Sequence, residues 1–216
     1  YATEKKVESK YDGKLIVHRF NLIKEGKNPL FRAWRYFFSC FKQYNFGVNS
    51  SYTKECNVIF AASTPPIIGA MCALIKKRRK MPFVYNVQDI FPDSLVGTGF
   101  SSNSSFLWEI GRKIENFTYM NADKIIVISE DFKQNLLAKG VPEEKIIVVY
   151  NWVDENAVVD IPRSENKLFD KYGLDSSKFY VTYNGNIGLT QNMNMLLGVA
   201  EEYQKTTPDI QFVLLF

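Results

Sequence analysis

The chain has 216 residues, 46% of them hydrophobic and 23% charged, a globular composition long enough for one large domain or about one and a half. A formal net charge of +4 is too small to argue for nucleic acid, and a single histidine, His18, leaves no material for a histidine-based triad or metal site. Cys40, Cys56 and Cys72 form no CxxC pair and read as free thiols of a reducing compartment, and the longest apolar run, Ile67 to Ile75, is far short of the ~20 residues that cross a bilayer.

In chain order, a polar opening leads to a short strand at Lys14–Arg19, where His18 has a half-buried structural role as its plainer reading. Pro29 to Tyr44 reads as a helix, with Pro29 suited to its first turn and Gly47 as its terminator. The apolar runs Asn57–Ala62, Phe83–Val87, Lys124–Ile128 and Lys145–Tyr150 predict strands buried on both faces. Helices at Ile67–Lys77, Ser104–Met120 and Glu130–Ala138 alternate with them, which predicts a parallel, doubly wound sheet. Ser129 stands where it caps the last of these helices, and Gly140 where it closes it.

From Asp154 to Lys178 the apolar pattern lapses, apart from a short helix at Glu165–Tyr172 ended by Gly173. A second α/β unit then begins, with a strand at Phe179–Tyr183, a turn at Asn184–Gly188, a helix at Thr190–Gln204 and a strand at Ile210–Phe216. The expected organisation is residues 1–160 as a Rossmann-like domain, 161–178 as a linker and 179–216 as the start of a second domain.

Ligands of parallel sheets bind beyond the carboxyl ends of the strands, which selects a few loops. The turn containing Gly185, Asn186 and Gly188 joins a strand to a helix N-terminus, an arrangement that aims N–H groups and a positive dipole end at a phosphate. A plain tight turn using glycine's access to positive φ is the alternative. It is neither G-x-G-x-x-G nor a P-loop, so dinucleotide binding and ATP hydrolysis are not supported. Asp89 and Asp93 flank Pro92, either as loop carboxylates accepting backbone N–H bonds or as a base or hydroxyl-binding group, and Gln88 beside them offers both donor and acceptor. No second carboxylate is spaced for a glycosidase pair. Asn151, Trp152 and Asp154 follow a strand, Trp152 either stacking on a ring or packing a hinge; Ser63–Pro66 and Ser129 complete the set. Arg32, Arg35 and Lys42 interleave with aromatics between residues 30 and 44, which suits a core-facing helix with snorkelling cations or an interfacial helix on an anionic membrane. The run Lys76-Lys77-Arg78-Arg79-Lys80 would add about 1 kcal/mol per cation at such a surface.

Three segments together, VYNVQDIFPDSLVGTG (84–99), ADKIIVISEDFKQNLLAKGVPEEKIIVVYNWVD (122–154) and VTYNGNIGLTQNMNMLL (181–197), resemble family 4 glycosyltransferases of GT-B fold, closest in flavour to capsule, colanic acid and O-antigen enzymes similar to N-acetylfucosamine transferases. The resemblance implies two Rossmann-like domains, the first taking a lipid-linked or polysaccharide-precursor acceptor and the second a nucleotide-sugar, a UDP-sugar, with retention, no metal and no other cofactor. It places Gly185, Asn186 and Gly188 on the donor diphosphate and matches Asp89 to the aspartate of an HD-type loop, with Gln88 where many members carry His. Asn151–Asp154 matches an NGVD motif with Trp152 in place of glycine. Arg32, Arg35, Lys77, Arg78 and Arg79 become the membrane-facing cations of a cytoplasmic protein peripheral to the inner face of the plasma membrane. The first strand with its Gly-rich acceptor loop is expected before Tyr1 and an acidic donor-contacting segment after Phe216, so the 216 residues alone are expected to be inactive. A non-catalytic nucleotide-sugar-binding module and a UDP-sugar epimerase of the same build are the alternatives.

Overall fold

The computed structural model describes residues 6–21, 29–93, 106–188 and 191–215, with the side chains of residues 29, 30, 32, 33 and 107 left aside. The features expected at Ser94, Ser104, Thr190 and Phe216, and the Arg32 side chain, lie outside the described residues. The chain divides into two compact units, residues 1–151 and 152–216.

The first unit opens with a hairpin. β1 (Val7–Lys10) and β2 (Leu15–His18) pair antiparallel, with Val7 opposite His18. Tyr11, Asp12 and Gly13 all take positive φ and reverse the chain, and the Arg19 guanidinium bonds Glu8 at 2.8 Å. The strand expected at Lys14–Arg19 is therefore part of this hairpin rather than of the parallel sheet. His18 is half-buried between the rings of Phe46 and Tyr52, at 4.7 and 4.4 Å, the structural role expected of it.

The parallel sheet runs β3 (Ile59–Ala62), β4 (Phe83–Val87), β5 (Lys124–Val127), β6 (Ile146–Val148). Each strand follows its neighbour in chain order, so the described strands contain no order reversal of the doubly wound kind. The register sets Ala62 beside Asn86, and Val87 beside Val127, which in turn faces Val148. Phe83, Val87, Ile125, Val127 and Leu136 form its fully buried centre.

The helices of this unit among the described residues are α1 (Pro29–Asn49), α2 (Ile67–Arg79), α3 (Phe106–Asn121) and α4 (Glu130–Ala138); α2 packs on β3 and β4, α4 on β5 and β6, and α1 and α3 on α2. Helix α1 does not stop at Gly47. A Cβ there would lie 2.7 Å from Ile75 Cδ1, so Gly47 serves the close approach of α1 to α2 instead of ending the helix. Lys80 closes α2 in the left-handed region at φ 56°, and Gly140, at φ 80°, follows α4.

In the second unit β7 (Phe179–Asn184) and β8 (Ile210–Leu215) pair in parallel from Phe179–Ile210 to Asn184–Leu215, connected by helix α6 (Met193–Thr206). Residues 163–178, within the expected linker, carry structure of their own. The short helix α5 (Leu168–Tyr172) ends at Gly173, φ 61°; Phe169 packs its ring 5.9 Å from Tyr180, and the Arg163 guanidinium lies 4.6 Å over Phe169.

Candidate functional site

The carboxyl edge of the four-stranded sheet gathers Ser63, Gln88, Asp89, Ser129 and Asn151, and its geometry begins with a buried hydroxyl. Ser63, 4% exposed, follows β3, and its Oγ accepts the backbone N–H of both Gln88 (3.0 Å) and Asp89 (3.1 Å). That pins the turn after β4, where the backbone leaves the ladder and its N–H groups lose strand partners. The Gln88 carboxamide is held at both ends: Nε2 donates to Asn86 Oδ1 at 3.0 Å, and Oε1 accepts Asn151 Nδ2 at 3.1 Å. Asp89 is exposed, while Gln88 is half-buried. Ser129 caps α4 as expected, its side chain accepting the Phe132 N–H at 3.2 Å.

Beneath this edge lies an ionic cluster that the sequence did not disclose. Glu115, 6% exposed, accepts a bond from the Tyr119 hydroxyl (2.8 Å), is ion-paired with Arg112 and receives Lys139 Nζ at 2.9 Å. The same Lys139 ammonium reaches Asp93 Oδ2 at 2.8 Å, and Asn135 Nδ2 donates to that oxygen at 3.3 Å. These bonds tie the Asp93 side chain to α4 and to Lys139 just after it. Burial, followed by the Glu115 charge and the bond to it, drives the Tyr119 phenol far above its usual range. Burial and then the Glu115 charge do the same to Tyr85. Lys139, bridging Glu115 and Asp93, ties the 88–93 loop to α3 and α4. Gly111 tightens the same junction, since a Cβ there would meet Phe91 Cε1 at 2.8 Å and Pro92 Cβ at 2.9 Å.

In the second unit, neither Gly185 nor Gly188 adopts positive φ, so freedom of φ is not what glycine supplies here. Both instead leave space: a Cβ on Gly185 would sit 3.2 Å from Tyr183 Oη, and one on Gly188 2.7 Å from Gln191 Oε1. The Gly185 N–H extends the ladder to Leu215 O at 3.1 Å, and Tyr183 Oη donates to Asn186 O at 2.8 Å. Asn186 and Gly188 are exposed, and α6 begins after Asn192, which has φ 46°. Trp152 is 88% exposed. Asp154 caps a short 3-10 turn, accepting the Asn156 N–H at 3.0 Å.

The expected membrane-facing cations fall into different classes. Arg79 is withdrawn from the surface: its guanidinium bonds the carbonyls of Gly47, Val48, Thr53 and Lys54 at 2.7–3.3 Å and so closes the end of α1. Lys76 pairs with Asp123 at 2.7 Å and bonds Asn121 O at 2.8 Å. Lys77 lies 4.8 Å over the Phe117 ring but remains exposed, as do Arg78 and Lys80. Arg35 is half-buried. Phe31, Trp34, Phe37, Phe38 and Phe41 form an exposed aromatic stripe on α1. It borders an apolar groove of about 540 Å³ lined by Phe37, Phe41, Tyr44, Met71 and Leu74. No helix among the described residues is long and apolar enough to cross a membrane, and no group of three His, Cys, Asp or Glu side chains among them is placed to hold a metal ion.

Comparison with known proteins agrees with this architecture. A Pseudomonas aeruginosa protein named Probable glycosyltransferase WbjE is 24% identical over 162 residues, 74% of this chain and 40% of that protein. Two crystal structures of Anabaena Alr3699/HepE, in complex with UDP and glucose and with UDP-glucose, match with TM-scores of 0.59 and 0.54. Their identities are 15% and 16%, over 89% and 88% of this chain and 46% and 54% of theirs, so they share its fold, an α/β architecture of GT-B type. The chain thus spans less than two thirds of each of these relatives. The family model described as Glycosyltransferase Family 4 covers residues 4–157, hairpin and four-stranded sheet included, and the chain belongs to that family.

Proposed function

We propose that this chain is part of a retaining, metal-independent glycosyltransferase that moves a sugar from a UDP-sugar to a lipid-linked or polysaccharide-precursor acceptor in surface polysaccharide synthesis. Membership of Glycosyltransferase Family 4 carries the reading, and the UDP and UDP-glucose bound by HepE support the donor class. Residues 1–160 are assigned to the acceptor side and 179–216 to the donor side. N–H groups around Gly185, Asn186 and Gly188 would meet the diphosphate and stabilise the charge that develops on it as the glycosidic bond breaks, without proton transfer. Asp89 and Gln88, at the pinned turn after β4, would meet the reacting sugar, with the Asp89 carboxylate as the candidate acceptor of a hydroxyl proton.

The test is a panel of nucleoside-diphosphate sugars incubated with the complete gene product and membrane-lipid or oligosaccharide acceptors, with release of nucleoside diphosphate followed. Acceptor-dependent release from a UDP-sugar is expected. Donor binding without turnover would point to a binding module, and conversion of the donor to an isomeric UDP-sugar without acceptor to an epimerase.

The exposed aromatic stripe of α1 favours a further reading, docking on an anionic membrane with Lys77 and Arg78 adding attraction. In liposome flotation, Lys77→Glu with Arg78→Glu should reduce recovery on anionic vesicles several-fold. Equal recovery of both proteins at low salt would rule the surface out.

A further inference from the structure

Helix α2 packs between α1 and α3, and its outward side forms the floor of the apolar groove of about 540 Å³. Ile67, Ala70 and Leu74 follow one another at the three- and four-residue spacing that puts them on one face of α2. Phe37 and Phe41 of α1 form one wall, and Ile114 of α3 the other. Leu74 is 48% exposed, Phe37 56% and Phe41 61%, so the groove stands open and water wets hydrocarbon and ring surface that a partner would cover. Its volume falls within the span of about 300–1,000 Å³ usual for small-molecule sites. The lining offers hardly any hydrogen-bonding atoms, so an extended peptide laid in it would leave N–H and C=O groups unpaired. A hydrocarbon tail has none to pair. The two ends of the groove differ. One reaches the candidate site: Ile67 follows Ser63–Pro66, and Ile114 also lines a small cavity bounded by Ser63, Pro66 and Asp89. At the other, the same face of α2 continues from Leu74 to Lys77 and Arg78, both exposed, where an anionic lipid surface would be attracted.

We propose that the groove formed by α1, α2 and α3 holds the hydrocarbon tail of the lipid-linked acceptor, its head at the Ile67 end beside the candidate site and its tail leaving past Lys77 and Arg78 toward the membrane. The inference rests on the proposed transferase function and its lipid-linked acceptor. The groove is distinct from the stacked rings of Trp34 and Phe38, which lie outside its lining. Burial of methylenes in it lowers the acceptor KM and leaves the donor KM alone. The floor from Ile67 to Leu74 is about 10 Å long at 1.5 Å per residue, so the gain levels off once a tail outruns it.

Two readouts test it on the complete gene product. The first needs no activity: hexadecyl phosphate with a diazirine in mid-chain, kept below its micelle concentration, is irradiated with the protein, and the labelled residues are mapped by mass spectrometry. Labels on Phe37, Phe41 or Leu74 are expected. Labels confined to Trp34 and Phe38, or none in the groove because another stretch of polypeptide fills it, overturn the tail site. The second is the acceptor KM in the transfer assay, with one sugar acceptor carried on ethyl, decyl and hexadecyl tails. In the wild type it should fall at least about tenfold from ethyl to decyl and little further to hexadecyl. Ala70→Trp, which fills the floor, should abolish most of that fall with donor KM and circular dichroism unchanged. If Ala70→Trp does not fold, Leu74→Gln, at an exposed position, should cut the fall about threefold. An acceptor KM indifferent to tail length in the wild type, or equal tail dependence in the wild type and a folded variant, overturns the tail site while leaving the transferase standing. Groove labelling of a protein that transfers no sugar would condemn the proposed function and the acceptor assignment with it, leaving only a hydrocarbon-binding groove.

Discussion

Single side chains at the strand ends do most to define the candidate site. Ser63 Oγ is the buried acceptor for two consecutive N–H groups, so Ser63→Ala should cost about 1–3 kcal/mol in a urea melt, the penalty of stranding buried donors, and should weaken any substrate effect of Gln88. Asp123 holds the opposite end of the sheet: its Oδ2 accepts the Phe83 N–H at 2.7 Å, and Lys76 pairs with Oδ1. Desolvation opposes ionisation there, but the bonds from Lys76 and the Phe83 N–H, together with the nearby lysine charges, keep the carboxyl below its usual range. A lowered native pKa means that the stabilisation is complete above the unfolded value of about 3.9 and is lost as pH falls below it. Asp123→Asn should therefore lower stability by roughly 1 kcal/mol at pH 7, less screening at this half-exposed site, and the gap to wild type should narrow as pH falls below about 3.9. The sequence placed Gln88, Asp89 and Ser129 at strand ends because apolar runs mark where strands stop. It could not show that Ser63 bonds Gln88 or that Glu115 meets Lys139, pairings 25 and 24 residues apart that depend on which strands are neighbours. Cys72 illustrates the same limit: a free thiol was legible, but burial, with a smaller contribution from Cys40, pushes it up to about 12 and makes it inert.

Between elements, helix approach is governed by glycines and by one arginine. Gly69 lets α2 sit against α3 and β4, since a Cβ would fall 2.5 Å from Thr118 Cγ2 and 2.9 Å from Tyr85 Cε2. Gly69→Ala should destabilise by about 1–3 kcal/mol through overpacking, seen as a lower urea midpoint at unchanged slope. Arg79 substitutes for the glycine cap that Gly47 was expected to provide, its planar fork bonding several carbonyls at once. Arg79→Lys should recover little of the stability lost in Arg79→Ala, because an ammonium cannot span those acceptors; a full rescue in thermal melts would refute the clamp. Helix periodicity and Pro29 made α1 visible in the sequence, but its length depended on contacts from α2. In the same way β2 was legible as a strand, whereas its antiparallel partner β1 was hidden in the polar segment Val7-Glu8-Ser9-Lys10, whose half-exposed strand lacks an apolar run.

At the scale of the whole chain, alternating strands and helices disclosed an α/β protein, and three separated motifs disclosed the family that the match over residues 4–157 establishes. The strand-turn-helix after Phe179 was legible for the same reason, though its glycines provide room rather than a left-handed backbone. In the proposed function it is that turn that meets the donor diphosphate. The direct measurement is calorimetric titration of UDP into the complete gene product and its Gly188→Trp variant, with matched circular dichroism. Saturable UDP binding, weakened at least about tenfold by an indole placed where phosphate oxygens would lie, is the predicted result. Equal UDP affinity in the two folded proteins, or no UDP binding by the wild type, would contradict it.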